Sequence, residues 1–176
     1  PVSGTAAPNR EITVTFGNTA LKTKTDSKGK WSVTLPPMPP CATGQTLAAV
    51  QNGDSAKLED VLVGEVWLAS GQSNMLFRLN QTTTAKEDIA ASGDDQLRLL
   101  NNVPQAHTNN APYSAKDFDA VTTDNFYKGQ WAASSPATSG PMAAVGYYFG
   151  KKLREGLGIP VGIIHSSLGG SEIAAW

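Results

Sequence analysis

The run from Asp60 to Leu76, DVLVGEVWLASGQSNML, constrains the fold more than any other part of the chain. From Val61 to Leu68 it is rich in Val, Leu and Trp, the composition of a strand buried on both faces of a parallel sheet, where continuous apolar runs replace alternation. It breaks off at Gly71-Gln72-Ser73-Asn74. In open α/β sheets the ligand site lies beyond the carboxyl ends of the strands, so a serine one tight turn past such a strand stands at the mouth of a site. Ser73 is therefore the candidate nucleophile.

A chain of 176 residues can bury a sizeable core, yet it is short for a complete α/β enzyme. A formal charge of -1 gives no electrostatic reason to expect nucleic acid or an acidic membrane as partner. Cys41 is the single cysteine, so there is neither an internal disulfide framework nor a thiolate cluster, and two distant histidines make a poor metal site. No cofactor is expected. No apolar run is long enough to cross a bilayer, and no signal-peptide pattern is present. The chain starts at Pro1, which reads as a processed or excised terminus.

The first sixty residues read as β structure. Ile12, Val14 and Phe16 alternate with polar residues in EITVTF, and Trp31, Val33 and Leu35 do so in KWSVTL, with a turn at Asp26-Ser27-Lys28-Gly29 between the two strands. Pro36, Pro37, Pro39 and Pro40 forbid ladder pairing, and a short strand from Leu47 to Val50 leads into the hairpin signal Asn52-Gly53. Trp31 could stack on a sugar, but its place on the apolar face argues for core packing.

Past Ser73, Thr84-Ala85-Lys86-Glu87 has the pattern of a capping box and predicts a short helix to about Ala91. QLRLLNN, with Leu97, Leu99 and Leu100, predicts a second sheet strand, and from Asn102 to Gln130 no periodicity survives, which predicts a long loop bordering a cleft. His107 in that loop reads as an exposed residue without an orienting carboxylate. Ser139-Gly140-Pro141 predicts a helix start, with Met142, Val145, Phe149 and Leu153 as its buried face and Tyr147 and Tyr148 as core packing. Gly156 and Gly158 end that helix, and Val161-Gly162-Ile163-Ile164 forms a third strand running into Ser166, Ser167, Gly169, Gly170 and Ser171. A glycine-rich loop after a strand lets backbone N–H groups approach a developing oxyanion closely.

With these features together, the blocks DVLVGEVWLASGQSNM and MAAVGYYFGKKLREGLGIPVGIIHSSLGGSEIAAW resemble the sialate O-acetylesterase branch of the SGNH (GDSL-like) hydrolase superfamily, and PNREITVTF with DSKGKWSVTLPP resembles that branch's N-terminal module. The resemblance implies a flavodoxin-like three-layer α/β/α domain over residues 60–176, incomplete in this chain, preceded by a small antiparallel β-sandwich module over residues 1–59 that is itself incomplete at its start. It implies that Ser73 is the nucleophile and that Gly170, in preference to Gly169, is an oxyanion donor. Gln72 and Asn74 would shape the turn. It further implies a carbohydrate O-acetylesterase acting on an acetylated glycan, sialic acid above all, in an extracellular or periplasmic setting.

Two blocks of that family have no counterpart here. Gly-x-Asn-Asp would add an oxyanion donor, and Asp-x-x-His would supply the base and its orienting carboxylate; Asp124-Asn125 has the wrong order, and no Asp stands three residues before His107 or His165. His165 reads as a satisfied strand-end residue. Three parallel strands would also leave an open apolar edge. The expectation is a second polypeptide carrying the remaining strands with the catalytic His and Asp, and an isolated chain that is nearly inactive. Two rival readings stand beside this one: an acetyl esterase for xylan or pectin, and a non-catalytic glycan-binding protein on the same scaffold.

Overall fold

The computed structural model describes residues 1–105, 112, 114–122 and 125–172, and the chain divides into two compact units, Pro1–Val63 and Gly64–Trp176. His107 and Asp124 lie outside the described residues.

The first unit is all β: β1 (Val2–Thr5), β2 (Glu11–Phe16), β3 (Thr19–Lys24), β4 (Lys30–Val33), β5 (Cys41–Gln51) and β6 (Asp54–Val63). A four-stranded antiparallel sheet runs in the order β3-β2-β5-β6, and β1 pairs with β4 as a separate ribbon. Ile12, Val14 and Phe16 are buried, as the alternation in β2 requires. The expected turn forms because Asp26 Oδ1 accepts from the N–H groups of Lys28 and Lys30 at 2.8 and 2.9 Å. It does not join β2 to β4 directly, since β3 intervenes and β4 pairs with β1. Trp31 is half-buried, its ring over Gly4 of that partner strand, where a Cβ would come within 2.9 Å of it.

The second unit holds β7 (Glu65–Gly71), α1 (Ser73–Leu76), a 3-10 turn at Leu79–Gln81, α2 (Ala85–Ala90), β8 (Asp94–Pro104), α3 (Ala115–Ala120), β9 (Tyr127–Lys128), β10 (Trp131–Ser134), α4 (Ala144–Leu157) and β11 (Val161–Ser167). Its sheet is mixed, in the order β10-β8-β11-β7, with β9 also on β8. β11 runs parallel to both β7 and β8, whereas β10 is antiparallel.

The sheet corrects the reading of the opening run in two ways. Gly64 splits Val61–Leu68, leaving the first residues in β6 of the other unit. The remainder, β7, is an edge strand among the described residues, hydrogen-bonded to β11 there, and Val66, Trp67 and Leu68 are 60%, 45% and 64% exposed. An apolar composition marks a strand but does not distinguish a central position from an edge. The strand buried on both faces is β11, where Val161, Gly162, Ile163, His165 and Ser167 are all buried.

Two further expectations change. Thr84 makes no capping bond, because its hydroxyl donates to Asp88 Oδ2 at 2.5 Å, an acceptor that Tyr148 Oη–H also reaches. The capping box falls inside the expected loop instead, where Ser114 Oγ accepts from Asp117 N–H and Asp117 Oδ2 accepts from Ser114 N–H, opening α3. An acidic residue shorter than Glu does the same work there.

α4 covers the sheet by a different face from the one its large apolar residues suggest. Ala144, Gly146, Tyr147 and Gly150 are buried, while Val145 is 57% exposed and Phe149 turns outward to meet Trp67 edge-on, with ring centroids 5.2 Å apart. Met142 is buried but precedes the helix, and Leu153 packs on the core margin. Small residues let the helix axis sit close to Ile163 and Leu97, so closeness of approach outweighs side-chain size in selecting the face. A Cβ on Gly150 would stand 2.5 Å from Ile163 Cγ1, whereas one on Gly156 of the same helix meets nothing within 4 Å. Gly150→Ala is therefore expected to cost about 1–3 kcal/mol through overpacking, and Gly156→Ala to gain roughly 0.5–1 kcal/mol through helix propensity. Urea unfolding of the two variants checks both signs; equal effects would contradict this packing.

Candidate active site

The site is built where two parallel strands end side by side. The β7–β11 register runs from Glu65 with Val161 to Gly71 with Ser167, and Leu168 N–H then donates to Gly71 O at 3.0 Å. The nucleophile turn and the glycine-rich loop are thus locked together by backbone pairing. Gly71 has φ 143°, a conformation that disfavours any Cβ, and it redirects the chain from β7 into α1. Ser73 is the first residue of that helix and is exposed.

Gln72 holds Ser73 closely. Its Oε1 accepts from Ser73 N–H at 3.0 Å and from Ser73 Oγ–H at 2.6 Å. The backbone N–H of Ser73 and its hydroxyl proton thus both point at the same amide oxygen. Gln72 is bonded to both the backbone and the side chain of the candidate nucleophile. Asn74 follows on the exposed first turn of α1.

Ser73, Leu76, Phe77, Arg78, Gln81 and Gly169 line an open cleft of about 390 Å³. Gly169 is the loop glycine on its wall. Gly170, one residue farther, sits at φ 77° in the turn closed by Ser171 N–H to Leu168 O at 3.3 Å. Reading the sequence brings Ser73 and this loop together but misses Phe77, Arg78 and Gln81; their only signal is position, just past the nucleophile.

His165 belongs to the floor beneath the site. It is 2% exposed, with Nδ1 2.7 Å from Asn101 Oδ1 and Nε2 2.7 Å from Ser167 Oγ. An amide oxygen can only accept, so Nδ1 carries the proton and Nε2 accepts from the Ser167 hydroxyl. The imidazole thereby ties β8 to β11 at the last buried rungs before the glycine-rich loop, and both ring nitrogens are engaged away from Ser73. Among the described residues no histidine hydrogen-bonds Ser73, and none of them group as three or more His, Cys, Asp or Glu fit for a metal ion.

Burial holds His165 below the ordinary imidazole pKa; the nearby Met75 backbone opposes this, and the Arg78 charge reinforces it. With the folded value lowered, the unfolded chain binds more protons in the window below the ordinary value of about 6.5. The stability contributed by neutral His165 is complete above that window and declines as pH falls through it. Thermal unfolding from about pH 8 to about pH 5 should show the advantage of the native protein over His165→Gln shrinking with acidity. A constant advantage would mean that His165 does not titrate in this way.

The chain as a whole has relatives among known proteins. The sialate O-acetylesterases of Pongo abelii and Homo sapiens are each 32% identical to this chain over 190 residues, covering 98% of it. The chain spans about a third of the length of these curated relatives, 34% in both cases. A solved carbohydrate acetylesterase from Xanthomonas citri matches 99% of the chain at 37% identity with a TM-score of 0.83, the chain covering 38% of that structure. No family model matches the chain.

Proposed function

Because this chain belongs to the sialate O-acetylesterase family, we propose that it carries the nucleophilic half of an esterase that removes O-acetyl groups from carbohydrate, sialic acid foremost. The observation that carries the reading is the junction itself: an exposed serine at a helix start, beside a glycine loop, on a cleft at the carboxyl ends of adjacent parallel strands.

In this mechanism a histidine base takes the Ser73 Oγ proton, breaking its hydrogen bond to Gln72, while Oγ attacks the acetyl carbonyl carbon. The carbonyl oxygen becomes an oxyanion, met by backbone N–H groups of the Ser73 turn and of the loop at Gly170. Collapse of this tetrahedral species expels the sugar oxygen, which takes the proton back from the histidine. Water then attacks the acetyl-serine, releasing acetate and restoring Ser73. The Gln72 amide must yield the Ser73 N–H as charge develops, so this residue sets how readily the turn becomes an oxyanion hole.

His165 is an unsuitable base, since both its nitrogens are spoken for below the cleft. No Asp stands three residues before His107 or His165, so the reading takes its base and carboxylate from polypeptide outside this chain. The outer edge of β7, which has no strand partner among the described residues, is a suitable place for additional strands to add to the sheet. Glycan substrates also favour an extracellular or periplasmic setting.

Two measurements test this. In the intact protein, Ser73→Ala should lower acetate release from O-acetylated sialic acid by at least about a thousandfold while leaving the thermal unfolding midpoint in place; retained turnover would remove Ser73 as nucleophile. The chain by itself should hydrolyse an aryl acetate barely above the uncatalysed rate, and brisk hydrolysis would show that the base lies within it.

A further inference from the structure

Immediately after the nucleophile helix the chain runs as a strap fixed by backbone pairing. Ala144 N–H donates to Phe77 O at 2.8 Å, Leu79 N–H to Met142 O at 2.9 Å and Asn80 N–H to Gly140 O at 3.0 Å, with Arg78 and Ala143 forming an antiparallel bridge. Leu79 and Met142 are fully buried and anchor the strap to the core. Phe77 and Arg78 are left exposed on its outer side and line the cleft with Ser73. Gln81 Oε1 fixes the Arg78 backbone further by accepting its N–H at 2.8 Å.

The chemistry of this wall is one-sided. Among the described residues no acidic side chain lines the cleft and Arg78 makes no salt bridge. A guanidinium in such a place, beside an exposed aromatic ring and within one small cleft of a serine hydroxyl, matches a sugar that carries both an acetyl ester and a carboxylate. Guanidinium and carboxylate pair through two parallel N–H···O bonds, which orients the ligand as well as attracting it. The Phe77 ring offers an apolar face for the sugar's C–H groups.

We propose that Arg78 is a specificity-determining residue that binds the carboxylate of an acidic O-acetylated sugar while its acetyl group lies at Ser73. The inference rests on Ser73 as nucleophile and deepens it, because it selects acidic glycans over neutral ones such as acetylated xylan. Held on a strap whose neighbours are core residues, the guanidinium starts from a fixed backbone, so little order must be imposed when substrate arrives.

The test compares, in the intact protein, kcat/KM for an O-acetylated sialic acid with that for its carboxyl methyl ester, using wild type, Arg78→Gln and Arg78→Lys, each first checked for an unchanged melting temperature. The native protein should prefer the free acid. Arg78→Gln should reduce that preference by about tenfold to a hundredfold, chiefly through KM, and Arg78→Lys should restore part of it. An unaltered preference, or equal losses on acid and ester, would overturn the proposal. Calorimetric titration with free sialic acid separates this from the catalytic reading: if no acetyl ester is turned over, the esterase reading fails, and binding that weakens in Arg78→Gln still supports the carboxylate contact while binding that does not change overturns it.

Discussion

The parallel pairing of β7 with β11 is the interaction on which the rest of the second unit depends. Each strand carries one wall of the cleft at its carboxyl end, and neither wall has meaning without the other. Because the ladder continues in register to Gly71 and Ser167 and is closed by Leu168 N–H to Gly71 O, the serine turn and the glycine loop are placed by a run of backbone hydrogen bonds. Placement by backbone is tolerant of side-chain change and precise in position, which suits a site where tenths of an ångström matter. The side chains then tune what the ladder has positioned: Gln72 holds Ser73 from above, and His165 braces the strand ends from below.

The legible parts of this chain were those governed by short-range rules. Alternation located Ile12, Val14 and Phe16, the Asp26 turn followed from the hydrogen-bonding reach of an Asp side chain, and the break from apolar residues to Gly71 located the serine turn. Neighbourhood was harder to see. Val66, Trp67 and Leu68 look like core residues in a sequence window, and it takes the strand order to place β7 at the sheet's edge among the described residues. The face of α4 was similarly hidden, because Gly146 and Gly150 contribute nothing to a hydrophobic stripe but decide how near the helix can lie to Ile163. Phe77 and Arg78 had no periodic or motif signal at all; their exposure follows from a strap pairing with residues some sixty positions later.

The two units also differ in what their polar groups do. In the first, buried Thr25 links two strands' worth of turn by donating to Ala7 O and accepting from Arg10 N–H, a purely architectural use. In the second, Ser92, Ser134 and Ser139 form a comparable buried chain under Tyr147, but Ser167, His165 and Asn101 sit immediately behind the cleft. There, the same satisfaction of buried polar atoms braces the strand end from which the glycine-rich loop leaves.

The exposed flank of β7 has a consequence for handling the chain as well as for its chemistry. A strand whose outer ladder is unpaired among the described residues, with Val66 and Leu68 exposed, is a template for an extended peptide, including the same strand of another molecule. Such a chain can be well folded and still come out of solution, since colloidal behaviour at the edge is independent of how firmly α4 and β11 are packed. Concentration, rather than temperature, would then govern whether such molecules stay apart.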